Sequence, residues 1–186
     1  MIAASYGCFL VGNIALWPAI VTLATRIGAT RPRWALWGGS LVMFGLFART
    51  FHAGVDHLAF QLVRRQDVSG AAGTVAGSYG AFHVVTGLTA TIVFGWIVLA
   101  IGAYVAGTLG LVRSIALGLM AALMIGVLKG TSPMSVLSTA GLAVALVPLG
   151  ISVLREPPTP CAGAFLRWYL VAGLFVAALF CLGQLG

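Results

Sequence analysis

The chain has 186 residues, of which 61% are hydrophobic and only 7% charged, and its mean hydropathy is +1.10. A soluble domain carries about a quarter charged residues, so too few charges exist here to coat a water-facing surface, and lipid is the expected solvent for most of the outside. The formal charge of +7 does not mark a nucleic-acid partner, because the ten basic residues stand mostly at the ends of apolar runs rather than in a clustered stripe.

The length suits one domain, residues 1–186. A membrane span takes roughly 20 apolar residues, so about six spans with short loops nearly exhaust the chain. The first is expected over 2–25, and it lacks the basic n-region of a cleavable signal peptide. Arg26, Arg31, Pro32 and Arg33 close it. The second, 34–63, is apolar to Ala48, then admits polar residues while its helical pattern continues to Arg64 and Arg65. Residues 66–77, rich in Gly, Ala and Ser, read as a loop. The third span covers 78–105, with Gly107 and Gly110 marking a turn. The fourth, 111–128, ends at Lys129-Gly130-Thr131-Ser132-Pro133. The fifth is 134–154, stopped by Pro157, Pro158 and Pro160. The sixth is 165–185.

Long unbroken apolar runs predict helices, since barrel strands would alternate apolar with polar over roughly ten-residue segments. The expected class is therefore all-α: a polytopic integral membrane bundle, multi-pass in a cell membrane such as the bacterial inner membrane. Arg26, Arg31, Arg33, Arg113, Arg155 and Arg167 fall on one side, against Arg64, Arg65, Lys129 and at most Arg49 on the other. That bias predicts the first side as cytoplasmic and both termini as extracytoplasmic.

Polar residues concentrate in one place. Arg49, His52, Asp56 and His57 occupy the second half of span two, with Tyr79 and His83 near the start of span three. At ~1.5 Å per residue, His57 and His83 would lie at one depth, roughly 8–10 Å inside the outer boundary. At ~100° per residue, Arg49 and Asp56 point within about 20° of each other, and His52 lies within about 60° of both. Asp56 is the acid placed inside an apolar run, and all three histidines of the chain gather with it. Charges in a bilayer pair with one another or mark function. One expectation is thus an Arg49–Asp56 ion pair with the histidines as interhelical glue. The other is a polar cavity open to the extracytoplasmic side, with Arg49, His52, Asp56, His57 and His83 as working groups. Gly80, Gly87, Gly95 and Gly102 share a face of span three that lets another helix approach. Tyr79, Asn13, Gly80 and Gly87 are then candidate ligand contacts. Cys8, Cys161 and Cys181 lack metal or redox spacing, and no metal site is expected.

Four functions follow. The first is a membrane-embedded enzyme acting on a lipid-like or isoprenoid substrate, with Asp56 transferring a proton. The second is a transport, resistance or immunity component that binds an amphipathic molecule, as a homo-oligomer or with a partner membrane or ATPase subunit. The third is a redox subunit holding quinone or haem b, the latter between His57 and His83. The fourth is a structural subunit. His52 and Asp56 share the H-x-x-x-D spacing of the last motif of PAP2-type lipid phosphatases, but Arg49 stands three residues before the His rather than six, and that family's other motifs are missing. The segment Phe82-His83-Val84-Val85-Thr86-Gly87 is similar to the haem-ligand segment of succinate dehydrogenase membrane anchors. Over six residues that likeness implies only that His83 suits a haem ligand.

Overall fold

With lipid as solvent, the backbone must satisfy its own hydrogen bonds, and a helix does so within a single segment. A computed structural model describes residues 2–79, 84–122, 133–157 and 161–184, and every regular element among them is a helix. Among the described residues three helices, rather than the expected six, are long and apolar enough to cross a membrane, over Gly7–Gly28, Gly87–Val105 and Pro133–Arg155.

The first helix, α1, is Ile2–Gly28, with Pro18 inside it. The hydroxyl of Thr22 donates to the Pro18 carbonyl at 2.8 Å, a back-bond to the preceding turn. A short turn, tied by Arg31 N–H to Ile27 O at 2.8 Å, leads into α2. Pro32 opens α2, where a missing N–H costs nothing, and the helix continues unbroken for 34 residues to Arg65.

Residues 66–77 do not form the expected loop. Val68–Tyr79 is a helix, α3. Asp67 caps it: one carboxylate oxygen accepts from Gly70 N–H at 3.1 Å, the other accepts from the Ser69 hydroxyl, and the Asp67 carbonyl accepts the first helical bond, from Ala71. The first two residues of the third expected span belong to this helix. Ser78 and Tyr79 end α3, residues 80–83 lie outside the described set, and α4 runs Val84–Val105. The Gly107 φ of +70° closes α4, with the N–H groups of Thr108 and Leu109 both reaching Ala103 O.

The fourth expected span is shorter in regular α form. It comprises α5, Leu111–Gly118, and a 3₁₀ turn over Leu119–Ala122, with 123–132 outside the described residues. Two more helices follow, α6 over Pro133–Arg155 and α7 over Ala162–Gln184. The chain divides into two units, Met1–Pro148 and Leu149–Gly186, and the candidate site lies in the first.

That unit is built on the pairing of α2 with α4. A Cβ on Gly38 would come 2.8 Å from Leu99 Cα, one on Gly45 3.0 Å from Ile92 Cα, one on Gly95 2.7 Å from Val42 N and one on Gly102 2.9 Å from Trp34 Cβ. Each step forward on α2 meets a step back on α4, so the helices are antiparallel. Their backbones touch where each carries a glycine every seven residues. Gly95 and Gly102 thus pack as the sequence predicts, whereas Gly87 is exposed. Leu46, Ile92, Trp96 and Leu99 are buried in this unit. On its other flank α2 meets α1, with Gly39 against Ala24 and Ala35 against Gly28, again antiparallel. Further along the chain, α6 lies antiparallel to α5. The Ser138 hydroxyl donates to Leu119 O at 3.0 Å, and Arg113 donates to Ala145 O at 2.7 Å. Ala145 stands one turn before Pro148, where proline loosens the helical ladder.

Two outcomes follow. Gly95→Leu, which drives a side chain into the Leu41–Val42 backbone, is expected to cost about 1–3 kcal/mol, read as a lowered unfolding midpoint in detergent micelles. The bonds from Ser69 and Gly70 hold the Asp67 carboxyl below its usual range. The cap therefore stabilises α3 above the unfolded carboxylate pKa and is lost as pH falls through the lowered folded value. Backbone chemical shifts of Val68–Ala71 should move toward coil on acidification, and Asp67→Ala should show that loosened state at neutral pH.

Candidate functional site

The α1–α2 and α2–α4 registers bring polar groups of three helices to one level. From α1, the buried Asn13 amide donates to Leu46 O at 3.1 Å and to Thr50 Oγ1 at 2.5 Å. The Thr50 hydroxyl donates in turn to Leu46 O at 2.9 Å. Asn13 is thereby committed to α2, which accounts for a buried amide without any ligand. On the other flank of α2, His52 Nε2 lies 3.4 Å from Thr89 Oγ1 of α4. That hydroxyl also donates to Val85 O at 3.5 Å. The His52 ring also meets the Phe51 ring edge-on, with centroids 6.2 Å apart.

Arg49 and Asp56 share a helix face but do not meet. Among the described residues no ion pair joins them, and the Arg49 guanidinium carbon lies 5.3 Å from the centre of the Phe9 ring on α1. Seven residues of helix separate the two by about 10.5 Å of rise, whereas side chains three or four apart are the ones that touch. The expected pairing fails on distance, not direction. Asp56 is half-buried, and His57 beside it is exposed. The Gln61 amide nitrogen, which can only donate, stands 3.4 Å from His57 Nε2.

The ladder Trp34–Gly102, Gly38–Leu99, Gly45–Ile92 and His52–Thr89 also sets the height of these groups. Carried on at the register of its backbone contacts, Gly38–Leu99 and Gly45–Ile92, it brings Asp56 about one turn past Val84, the first residue of α4. Asp56 and His57 thus sit where the α4 span ends, while the seam below them is closed by the glycine contacts. Of the other candidates, Tyr79 is the last residue of α3, and Gly80 and His83 lie outside the described residues, as does the His57–His83 pairing that haem b requires. No group of three or more His, Cys, Asp and Glu able to hold a metal occurs among the described residues.

Two residues of this layer, Thr50 and Thr89, carry no signal in the sequence. A threonine in an apolar helix commonly bonds its own preceding turn, and both do so here while also serving a neighbour. The adjacency of Thr50 to Arg49 was the one available hint. Comparisons with protein-family models, with curated proteins and with solved structures find no match.

The Asn13 bridge is expected to hold α1 on α2. Asn13→Ala removes two bonds of the kind worth about 1 kcal/mol within membranes, and it should lower the unfolding midpoint in micelles. Thr89→Val should leave that midpoint nearer the parent value while shifting the His52 ring resonances.

Proposed function

We propose that the chain is a six-span cell-membrane enzyme, with both termini extracytoplasmic, that acts by proton transfer on a lipid-like or isoprenoid substrate at the outer half of α2. The observation that supports this most directly is Asp56: a half-buried carboxyl, unpaired with Arg49, set one turn beyond the His52–Thr89 tie and level with the end of α4. At that height an amphipathic molecule changes from tail to headgroup. A carboxyl there reaches polar atoms of the headgroup while the tail stays in lipid. In this reading Asp56 is the acid or base. His52, tied to Thr89 of α4, and His57, beside Gln61, are the imidazoles that flank it along α2 and would share in the proton transfer. Arg49, held over Phe9, supplies positive charge toward an anionic group, and Tyr79, Gly80, Gly87 and His83 are further candidates from the sequence alone.

The second reading is an amphipathic-molecule carrier working with a homo-oligomeric or ATPase partner. The glycine seam favours it in one respect, because a rigid α2–α4 pair can move as a body. A quinone or haem b subunit is the third, and a Soret band in the purified protein would establish haem.

Asp56→Asn keeps shape and removes the titrating group. It is expected to slow turnover by roughly 10²–10⁴-fold with helicity unchanged. The measurement is the lipid and isoprenoid profile of membranes expressing the parent chain, Asp56→Asn or neither. The parent should deplete one species and accumulate another, and Asp56→Asn should restore the empty-membrane profile. Identical profiles for the parent and Asp56→Asn would remove the enzymatic reading. A purified parent that retains one equivalent of an unchanged amphipathic molecule would move the function to the carrier.

A further inference from the structure

The opposite end of the α1–α2 pair carries a second feature. A groove of ≈ 350 Å³ runs between the two helices, within the roughly 300–1,000 Å³ of small-molecule sites. Gly39 is buried at its base beside Ala24, and Ala35, Ser40, Met43 and the exposed Val21 continue its lining. The trough exists because the helices close to contact at Ala24 and Gly39, where a Cβ on Gly39 would stand 3.1 Å from the Ala24 Cβ. Such small side chains leave the space beside them unfilled.

The groove runs toward the α1–α2 turn. There Arg31 and Arg33, both exposed, flank Pro32. Arg33 is six residues from Gly39, about 9 Å of helix rise. The chain's three acids are Asp56, Asp67 and Glu156, so neither α1 nor this turn holds a carboxylate to neutralise the arginines. Asp56 is seventeen residues beyond Gly39, about 25 Å further along α2. An apolar channel leading to uncompensated positive charge matches one kind of molecule: an acyl chain ending in an anionic head.

We propose that this groove is a binding site for an anionic phospholipid, with one acyl chain lying along Ala24, Gly39 and Ser40 and the phosphate held by Arg31 and Arg33. The site is separate from the polar layer at Asp56 and stands whether or not that layer is catalytic. A bound lipid would fill the trough and fasten α1 to α2 at the end away from the Asn13 bridge.

The test uses the full chain in neutral detergent micelles, titrated with dioleoylphosphatidylglycerol, with dioleoylphosphatidylcholine or with inorganic phosphate. Native mass spectrometry reads retained lipid, and thermal melting reads stability. Phosphatidylglycerol is expected to be retained and to raise the melting temperature, phosphatidylcholine to do so far less, and phosphate not at all. Arg31→Gln with Arg33→Gln should weaken phosphatidylglycerol retention about 30-fold. Ser40→Phe, which fills the trough and keeps the charge, should weaken both lipids. Should either variant misfold by circular dichroism, quenching of tryptophan fluorescence by brominated phosphatidylglycerol serves on the parent chain, since Trp34 and Trp37 lie beside the turn. Quenching should exceed that by brominated phosphatidylcholine. Equal retention or quenching by the two lipids, undiminished retention in a folded variant, or stabilisation by phosphate equal to that by lipid would each overturn the proposal.

Discussion

The close approach of α2 to α4 sets the position of everything else in the first unit. Lipid tails are as apolar as leucine, so helices in a membrane gain nothing from hiding apolar surface against one another. They adhere by packing and by hydrogen bonds instead. Gly38 and Gly45 on one helix and Gly95 on the other allow backbone contact at three levels, and Gly102 admits the Trp34 Cβ at a fourth. Four contacts of that closeness leave no freedom to slide by a turn. Once the register is fixed, the height of each α2 residue against the α4 span follows, including that of the polar ones.

The polar layer then divides by role. Asn13, Thr50 and the Leu46 carbonyl fasten α1 to one flank of α2, and His52 with Thr89 fastens α4 to the other. Both ties fall on the same two turns of α2, so that part of the helix is held from two sides. Asp56 and His57 come on the next turn, beyond the clamp. A carboxyl on a held helix keeps its place when it gains or loses a proton, which is the requirement for a group that binds or protonates a ligand repeatedly. Arg49 is drawn the other way, to the Phe9 face, and does not pair with Asp56.

The helical elements were legible because a lipid-facing sequence has little choice. Apolar runs bounded by Arg31-Pro32, Gly107, and Pro157-Pro158 return α1, α2, α6 and α7 as helices with small shifts at their ends, and the C-terminal end of α4 at Val105. The adjacency of the second half of α2 to the start of the next span was also readable, as was the packing of Gly95 and Gly102. The helix α3 was hidden by composition: Gly, Ala, Ser and Thr suggest a loop when counted. The decisive residue is Asp67, whose carboxylate fits over a side-chain-free Gly70 and starts the helix. Capping depends on one residue in its place, which averaged composition does not register. The Arg49–Asp56 pairing failed for a related reason. A helical wheel reports direction and discards height, and at seven residues height decides. Thr50 and Thr89 were silent because their partners lie on other helices, 37 positions away from Asn13 and His52 respectively.

The length of α2 fixes how costly its charges are. Thirty-four residues rise about 51 Å, against a hydrocarbon thickness of about 30 Å. To lie wholly inside, the helix would need a tilt of about 54°, beyond the roughly 0–40° that membrane helices adopt. In the proposed six-span placement it would therefore project from the hydrocarbon, and the pairing with α4 says which end would do so. Trp34 to Gly45 are matched against the body of the α4 span, so the surplus falls at Asp56 to Arg65, with Arg49 and His52 at the boundary. A charge at the bilayer centre costs about 2.5–3.5 kcal/mol on insertion scales, and one at the boundary far less. The expense of burying charge is thus no reason for these residues to be present, and stability does not explain why an acid and two imidazoles collect on two turns of one helix. What that height would supply, in the proposed placement, is contact with water and with lipid at once. A site for the polar end of an amphipathic molecule needs both.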